Sequence, residues 1–321
     1  MNILQQRLSK LSPRQRQVLE AALRKAGQQV PTELADVSSA AEPAQDVISK
    51  AQLLQDKVPA AIEVKEKTQQ FYTTISRQLN SSLYRQHARF LNIGFLDDGS
   101  PTERVVELPE RVINRACVNL VLEMVGGSPL EGVELLDVGC GRGGTIDTLA
   151  NLFQPERLTG IDLCREAITF CRDNAPADQA HFLVGDAEHL PFPNRSFDCL
   201  TNLESSHNYP EIDSFYREVA RVLRPGGRFL YSDILPREKK SRSTAFLRDL
   251  GLQLMLDRDI TANVLLSCRA TGDVHLGAFP QANDQEMMSD FLGLEGSRAF
   301  CDMEKGIDIY FIQHWEKVHG R

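Results

Sequence analysis

Glu134-Leu-Leu-Asp-Val-Gly-Cys-Gly-Arg-Gly-Gly144 runs an apolar strand straight into a glycine-rich turn. Gly139, Gly141 and Gly143 let the backbone bend sharply and approach a ligand with no Cβ in the way. The order is G-x-G-x-G-G behind Asp137 rather than the dinucleotide fingerprint G-x-G-x-x-G. A second strand, Leu158-Thr-Gly-Ile-Asp162, ends in a carboxylate that can accept from both hydroxyls of a ribose. A third ends in Val184-Gly185-Asp186-Ala187, where a carboxylate can accept from an adenine amino group. Three ligand points at three successive strand ends indicate S-adenosylmethionine; the alternative is a Rossmann-like domain holding another nucleotide or none.

Composition bounds the partners. The chain has 321 residues, 42% of them hydrophobic, enough for a catalytic domain plus an accessory part. A formal charge of −8 argues against nucleic acid as substrate, because phosphate binding draws on clustered Lys and Arg. The seven cysteines are odd in number and form no C-x-x-C pair, which suits a reducing cytoplasm. No run is long and apolar enough for a membrane span, and the opening residues lack a signal-peptide pattern, so a soluble cytoplasmic protein without membrane partners is expected.

Residues 1–46 read as an N-terminal helix and linker. Ser12 is placed as N-cap, Pro13 as first helical residue and Gly27 as the stop, followed by an unpatterned stretch rich in Ala, Ser, Pro and acidic residues. Residues 47–126 read as a helical subdomain, with a helix from Val47 to Tyr84 broken near Pro59 and another from Pro109 to Val125. From 127 to 321 strands and helices alternate, which implies a parallel sheet. Strands are expected at 133–138, 158–162, 181–185, Phe197–Asn202, Gly227–Ser232 after an Arg224-Pro-Gly-Gly turn, Leu252–Leu256 and Ile307–Trp315. Between the last two lies a helical insertion, about 261–300, placed to roof a substrate pocket. The fold class is α/β: a Rossmann-like seven-stranded sheet with a helical N-terminal lid.

Asp137 to Gly143, Asp162, Gly185-Asp186-Ala187, Leu190-Pro-Phe-Pro193, Ser196-Phe-Asp198 and Arg224-Pro-Gly-Gly227, in that order, resemble class I S-adenosylmethionine-dependent methyltransferases. The resemblance implies cofactor contacts from Asp137, Gly139, Gly141, Asp162, Asp186, Ala187 and Asn202, with S-adenosyl-L-homocysteine as product. In related small-molecule enzymes a helical lid carries a Phe-Tyr pair and a Leu-Asn-Tyr-Gly-Tyr-like turn over the cofactor. Phe71-Tyr72 and Leu91-Asn-Ile-Gly-Phe95 resemble these, with Ile93 and Phe95 departing from the tyrosines, and Tyr72 is the residue expected over the methionine end. Asp259-Ile-Thr-Ala-Asn-Val-Leu265, Gly296-Ser297, Tyr310 and Lys317 resemble the subset that acts on polyketide-derived or lipid-like molecules, including assembly-line O-methyltransferases and phthiotriol-type enzymes. The Leu11-Ser-Pro-Arg-Gln15 opening resembles helical joints of such assembly lines, so an acyl or peptidyl carrier protein and neighbouring modules are expected partners.

An alcohol is a poor nucleophile until its proton is leaving, so an oxygen acceptor calls for a base. Asn202-Leu-Glu-Ser-Ser-His-Asn-Tyr-Pro210 follows the fourth strand beside the expected methyl position, and His207 is the candidate base. Glu204 is a second catalytic candidate; either it or Asp233, at the end of the fifth strand, orients the imidazole. No His, Asp or Glu spacing suggests a metal. Arg237-Glu-Lys-Lys-Ser-Arg242 is a basic tract near the expected pocket mouth, either a solvated loop or a surface for an acidic carrier and its phosphopantetheine. The expected activity is O-methylation of a hydroxyl on a polyketide or polyketide-peptide intermediate, carrier-bound or as a free small molecule. C- or N-methylation of a small molecule or lipid, and a silent interaction module, are the rivals.

Overall fold

The computed structural model describes residues 44–82, 85–99, 101–102, 104–109, 111–277, 279 and 285–318. The capped helix expected from Ser12 to Gly27, most of the linker behind it, Tyr84 and His319 lie outside the described residues. Two compact units divide at Ala60/Ala61, and the second holds the sheet.

Helix α1 spans Ala44–Ser81 and runs through Pro59 without the expected break. Good helix formers on both sides of the proline, Leu, Gln, Lys, Ala and Glu, favour continuity over the one hydrogen bond that proline removes. Helix α2, Arg115–Val125, starts six residues later than Pro109, because Asn114 takes a left-handed conformation (φ 57°) that a helix cannot include.

The sheet is built from β1 (Glu134–Val138), β2 (Arg157–Asp162), β3 (Ala180–Val184), β4 (Phe197–Leu203), β5 (Leu223–Pro236), β6 (Leu252–Asp259) and β7 (Asp308–Lys317). Their order is β3-β2-β1-β4-β5-β7-β6, parallel except for β7, which is antiparallel to both neighbours. Helices α3 (Gly144–Leu152), α4 (Arg165–Asp173) and α5 (Ile212–Val222) make the crossovers, and α6 (Arg237–Asp249) connects β5 to β6. Three helices, α7 (Thr261–Leu276), α8 (Gln285–Phe291) and α9 (Arg298–Glu304), stand between β6 and β7 as the expected insertion.

Alternation along β1 divides the core. Leu135 packs into one apolar layer with α2, α3 and α7, while Leu136 and Val138 pack into the opposite layer with α5 and α6. A smaller cluster joins Ile75 and Leu79 of α1 to Phe279, Met288 and Leu292 of the insertion, so lid and roof meet.

Two local expectations are corrected. Strand β5 is longer than Gly227–Ser232, because β7 pairs with it from Arg228 to Pro236; the Arg224-Pro-Gly-Gly segment is a bulge where the β4 register jumps from Leu223 to Arg228. The basic tract from Arg237 is the first part of α6, not a loop. Among the described residues no helix is long and apolar enough to cross a membrane.

Candidate active site

The glycine turn owes its shape to β2. Gly139 and Cys140 donate their backbone N–H to Ile161 O at 2.8 and 3.1 Å, and Gly141 donates to Asp162 Oδ2 at 2.9 Å. Gly139 has φ 70°, and a Cβ there would lie 1.9 Å from Ser205 Oγ. Asp137 and Asn202 sit behind the turn and do not line the cavity. Asp137 Oδ1 accepts from Thr201 Oγ1 at 2.8 Å, and Asn202 Nδ2 donates to Val138 O at 2.8 Å, so both fix the ends of β1 and β4.

The cavity, about 620 Å³, runs along the C-terminal ends of β1 to β5 under the lid. At one end Asp186 and Ala187 follow β3. Lys65 of α1 reaches Asp186 Oδ2 at 2.6 Å and also pairs with the buried Glu188. Burial pushes the Asp186 carboxyl up, but Lys65 and the Glu188 N–H outweigh it and hold it below the usual range. In the middle, Asp162 accepts from Cys164 N at 2.7 Å as well as from Gly141; burial still raises its proton affinity. Gln69 donates to Leu163 O, and Thr73 and Arg77 both bond Glu166. Lys65, Gln69, Thr73 and Arg77 are four residues apart, so one polar stripe of α1 docks over the ends of β2 and β3.

At the other end Tyr72, Glu204 and His207 line the wall. His207 stands on a single helical turn, Ser206–Asn208, and its Nδ1 lies 2.7 Å from Asp233 Oδ1. Asp233 is wholly buried and also accepts from Ser206 Oγ at 2.6 Å, His207 N at 3.1 Å and Ile234 N at 2.8 Å. Burial would raise its pKa, yet the His207 charge and these donors bring it down. Burial would likewise lower that of His207, but Asp233 outweighs it and raises it. Asp233, not Glu204, therefore holds the imidazole.

Glu204 has its own place. Its backbone is left-handed (φ 51°), a strained state for a non-glycine residue, and Oε2 accepts from Ile93 N of the Leu91–Phe95 turn at 3.0 Å. Burial drives its pKa up to about 7, offset in part by His207 and the Ile93 N–H. Phe71 and Tyr72 contact Phe291 of α8 edge-to-face, with ring centroids 5.3 and 6.0 Å away, so the insertion packs against α1 at this end of the cavity. His189 is exposed beside Asp186 at 3.5 Å.

Lys65 and Asn208 carried no sequence signal: a lysine on a charged helix and an asparagine in a turn are ordinary, and their partners lie far away in sequence or come from the fold. Asn92 Oδ1, on the cavity wall, is buried without a partner among the described residues. It is an acceptor suited to an ammonium group. Asp162 and Asp186 line the same cavity, and the three acceptors suit the ammonium, ribose hydroxyls and adenine amino group of the amino-acid nucleoside expected from the sequence. Among the described residues no three His, Cys, Asp or Glu side chains converge as for a metal.

A methyltransferase-domain family model matches residues 136–231. The fatty-acid O-methyltransferase of Mycolicibacterium smegmatis is 39% identical over 202 residues, 60% of this chain and 72% of that protein. The phthiotriol/phenolphthiotriol dimycocerosates methyltransferase of Mycobacterium leprae is 36% identical over 211 residues, 64% of this chain and 77% of that protein. Among solved structures the [4+2]-cyclase SpnF superposes with a TM-score of 0.61 at 21% identity, covering 79% of this chain and 96% of that one, a likeness of fold. Two relatives above 30% identity, matched over most of their length, and a glycine turn after β1 beside the strand-end carboxylates Asp162 and Asp186 lead to one assignment: the chain belongs to the class I S-adenosylmethionine-dependent methyltransferases, with S-adenosylmethionine as its cofactor.

Proposed function

We propose that this enzyme methylates a hydroxyl oxygen on an apolar acyl chain, a polyketide or polyketide-peptide intermediate held on a carrier protein, with His207 as general base. The observation that carries this reading is the half-buried His207 backed by the wholly buried Asp233 at the acceptor end of the cavity. A carboxylate acceptor is already ionised at neutral pH and needs no base, whereas an alcohol does. A dyad with its carboxylate fully desolvated is therefore better suited to a hydroxyl.

Bound S-adenosylmethionine supplies a methyl on a sulfonium sulfur, which keeps the bonding pair as a thioether when the methyl leaves. The chain's own residues do the rest. Asp233 accepts the Nδ1 proton and leaves Nε2 of His207 as the basic nitrogen, which takes the hydroxyl proton while the oxygen gains the methyl. Phe71, Tyr72, Met287 and Phe291 make the wall on which an acyl chain can lie, and closure of lid on roof keeps water from the methyl.

The names of the relatives, a fatty-acid and a phthiotriol-type methyltransferase, agree with an acyl-bearing acceptor. The carrier is favoured by Arg237, Lys239 and Arg242 on the first turns of α6, a basic surface on an acidic protein, and by Arg298 on the cavity rim. In this reading residues 1–46 are a docking segment, 47–126 the lid and 127–321 the core. Incubating carrier-bound 3-hydroxyacyl chains and the same free acids with enzyme and S-adenosylmethionine, then measuring intact mass, tests it. One added methyl on the carrier-bound forms supports the proposal; methylation confined to free acids refutes the carrier.

A further inference from the structure

One side chain beside the base has no part in the chemistry above. Asn208 Nδ2 lies 2.8 Å from His207 Nε2 and 3.2 Å from the Tyr72 hydroxyl. The helical turn does not need this side chain, because backbone bonds from Asn208 N to Ser205 O and from Tyr209 N to Ser206 O hold it. The amide instead joins the reacting nitrogen to a residue of α1, 136 positions away in sequence.

Polarity fixes the arrangement. Asp233 is surrounded by donors, so Nδ1 carries a hydrogen and Nε2 of the neutral imidazole has only a lone pair. The amide nitrogen has two hydrogens, one for that lone pair and one for the Tyr72 oxygen. A lone pair takes one strong donor at a time, so a substrate hydroxyl and this amide compete for the same nitrogen.

We propose that Asn208 is a positioning residue that caps Nε2 of His207 and ties it to the lid through Tyr72 until an acceptor hydroxyl takes the amide's place. The proposal rests on His207 as the base. The cap keeps water off the basic nitrogen in the closed, acceptor-free enzyme, and its release is coupled to the lid that Tyr72 belongs to. Once Nε2 has gained a proton it is a donor, so the amide nitrogen can cap it again only after that proton has left.

The groups that face His207 are Asp233 on β5, Glu204 after β4, Lys239 on α6, Asp308 at the start of β7 and Tyr72 on α1. All are unchanged in an Asn208 variant, which isolates the amide. A donor into Nε2 favours neutral imidazole, so Asn208→Ala should raise the His207 midpoint by about 0.5–1 pH unit. Asn208→Asp, with a carboxylate in its place, should raise it further.

The test is ¹⁵N spectroscopy of the His207 ring across a pH titration in the intact protein with cofactor, alongside pH profiles of kcat/KM. In Asn208→Ala the Nε2 resonance is expected to move toward that of an unbonded imidazole nitrogen, with the acid limb shifting up by the same amount as the midpoint. Tyr72→Phe and the double variant should give non-additive effects on kcat. A resonance and midpoint that stay put, or a midpoint that falls, overturn the role of Asn208 while leaving His207 as base. Full activity in His207→Ala overturns the base and with it the cap's purpose.

Discussion

Asp233 accepts the Nδ1 proton of His207 at 2.7 Å from a wholly buried position within β5, joining that strand to the helical turn after β4 across 26 residues of sequence. Three further donors converge on that carboxylate. Its charge is thus compensated on the side away from the cavity, and the imidazole alone faces inward.

Replacing His207 by Ala should leave S-adenosylmethionine affinity within about two-fold while lowering turnover by about 100-fold or more, the usual weight of a general base. Calorimetric titration of the cofactor and single-turnover kinetics separate the two readouts. Asp233→Asn should act through the histidine. Because Asp233 raises the His207 pKa, its loss should move the acid limb of kcat/KM to lower pH even as the maximum falls.

The same pair sets a pH window for stability. The raised His207 pKa gives stabilisation that is complete below the unfolded value, about 6.5, and is lost as pH rises through the folded one. The lowered Asp233 pKa gives stabilisation present above about 3.9 and lost as pH falls through the folded value. The Tm difference between wild type and Asp233→Asn should accordingly be largest between about pH 4 and 6.5 and shrink on either side. A difference that is flat across this range would contradict the assignment.

Asp137 works in the opposite sense. Burial drives its pKa up to about 7, so its folded form is penalised as pH climbs from the ordinary carboxylate range to neutrality. Asp137→Asn, which keeps an acceptor for Thr201, should show a flatter decline of Tm from pH 4 to 8 than wild type in differential scanning calorimetry.

Lys65 fastens α1 over the β3 end of the cavity through Asp186 and Glu188. Lys65→Ala should release S-adenosyl-L-homocysteine about five-fold faster, the equivalent of about 1 kcal/mol for a partly exposed ion pair. Stopped-flow displacement measures this directly, and an unchanged release rate would mean the stripe at Gln69, Thr73 and Arg77 holds the lid by itself.

At Gly139 the left-handed backbone and a Cβ position 1.9 Å from Ser205 Oγ leave no room for alanine. Gly139→Ala should cost about 2–4 kcal/mol of stability through strain and overpacking together. It should also disrupt the Ser205–Tyr209 hydrogen bond at 2.7 Å. Chemical denaturation gives the first quantity and the near-ultraviolet signal of the tyrosines reports the second.

The sheet was legible because local rules agree with it: glycine where φ must be positive, apolar runs ending in carboxylates, alternating strands and helices. His207 and Glu204 could be found from their position after β4, but which carboxylate holds the imidazole could not. Glu204 is close in sequence yet turned by its left-handed backbone toward Ile93, whereas Asp233 is distant and adjacent in space. Proline 59 and the Arg237 tract misled for a shared reason, since a single breaker or charge run is weak evidence against a segment otherwise suited to a helix. Lys65 and Asn208 matter through partners 121 and 136 residues away, which no window along the chain can show.

If the His207–Asp233 pair serves a hydroxyl, the position of the transferred methyl reveals it. That role is tested most directly with a long-chain 3-hydroxy acid, which as its free acid offers hydroxyl and carboxylate in one molecule and as its carrier thioester offers the hydroxyl alone. Fragmentation mass spectrometry locates the methyl. A methyl ether at the 3-hydroxyl is expected, formed by wild type and lost in His207→Ala. A methyl ester formed equally well by both proteins would contradict it.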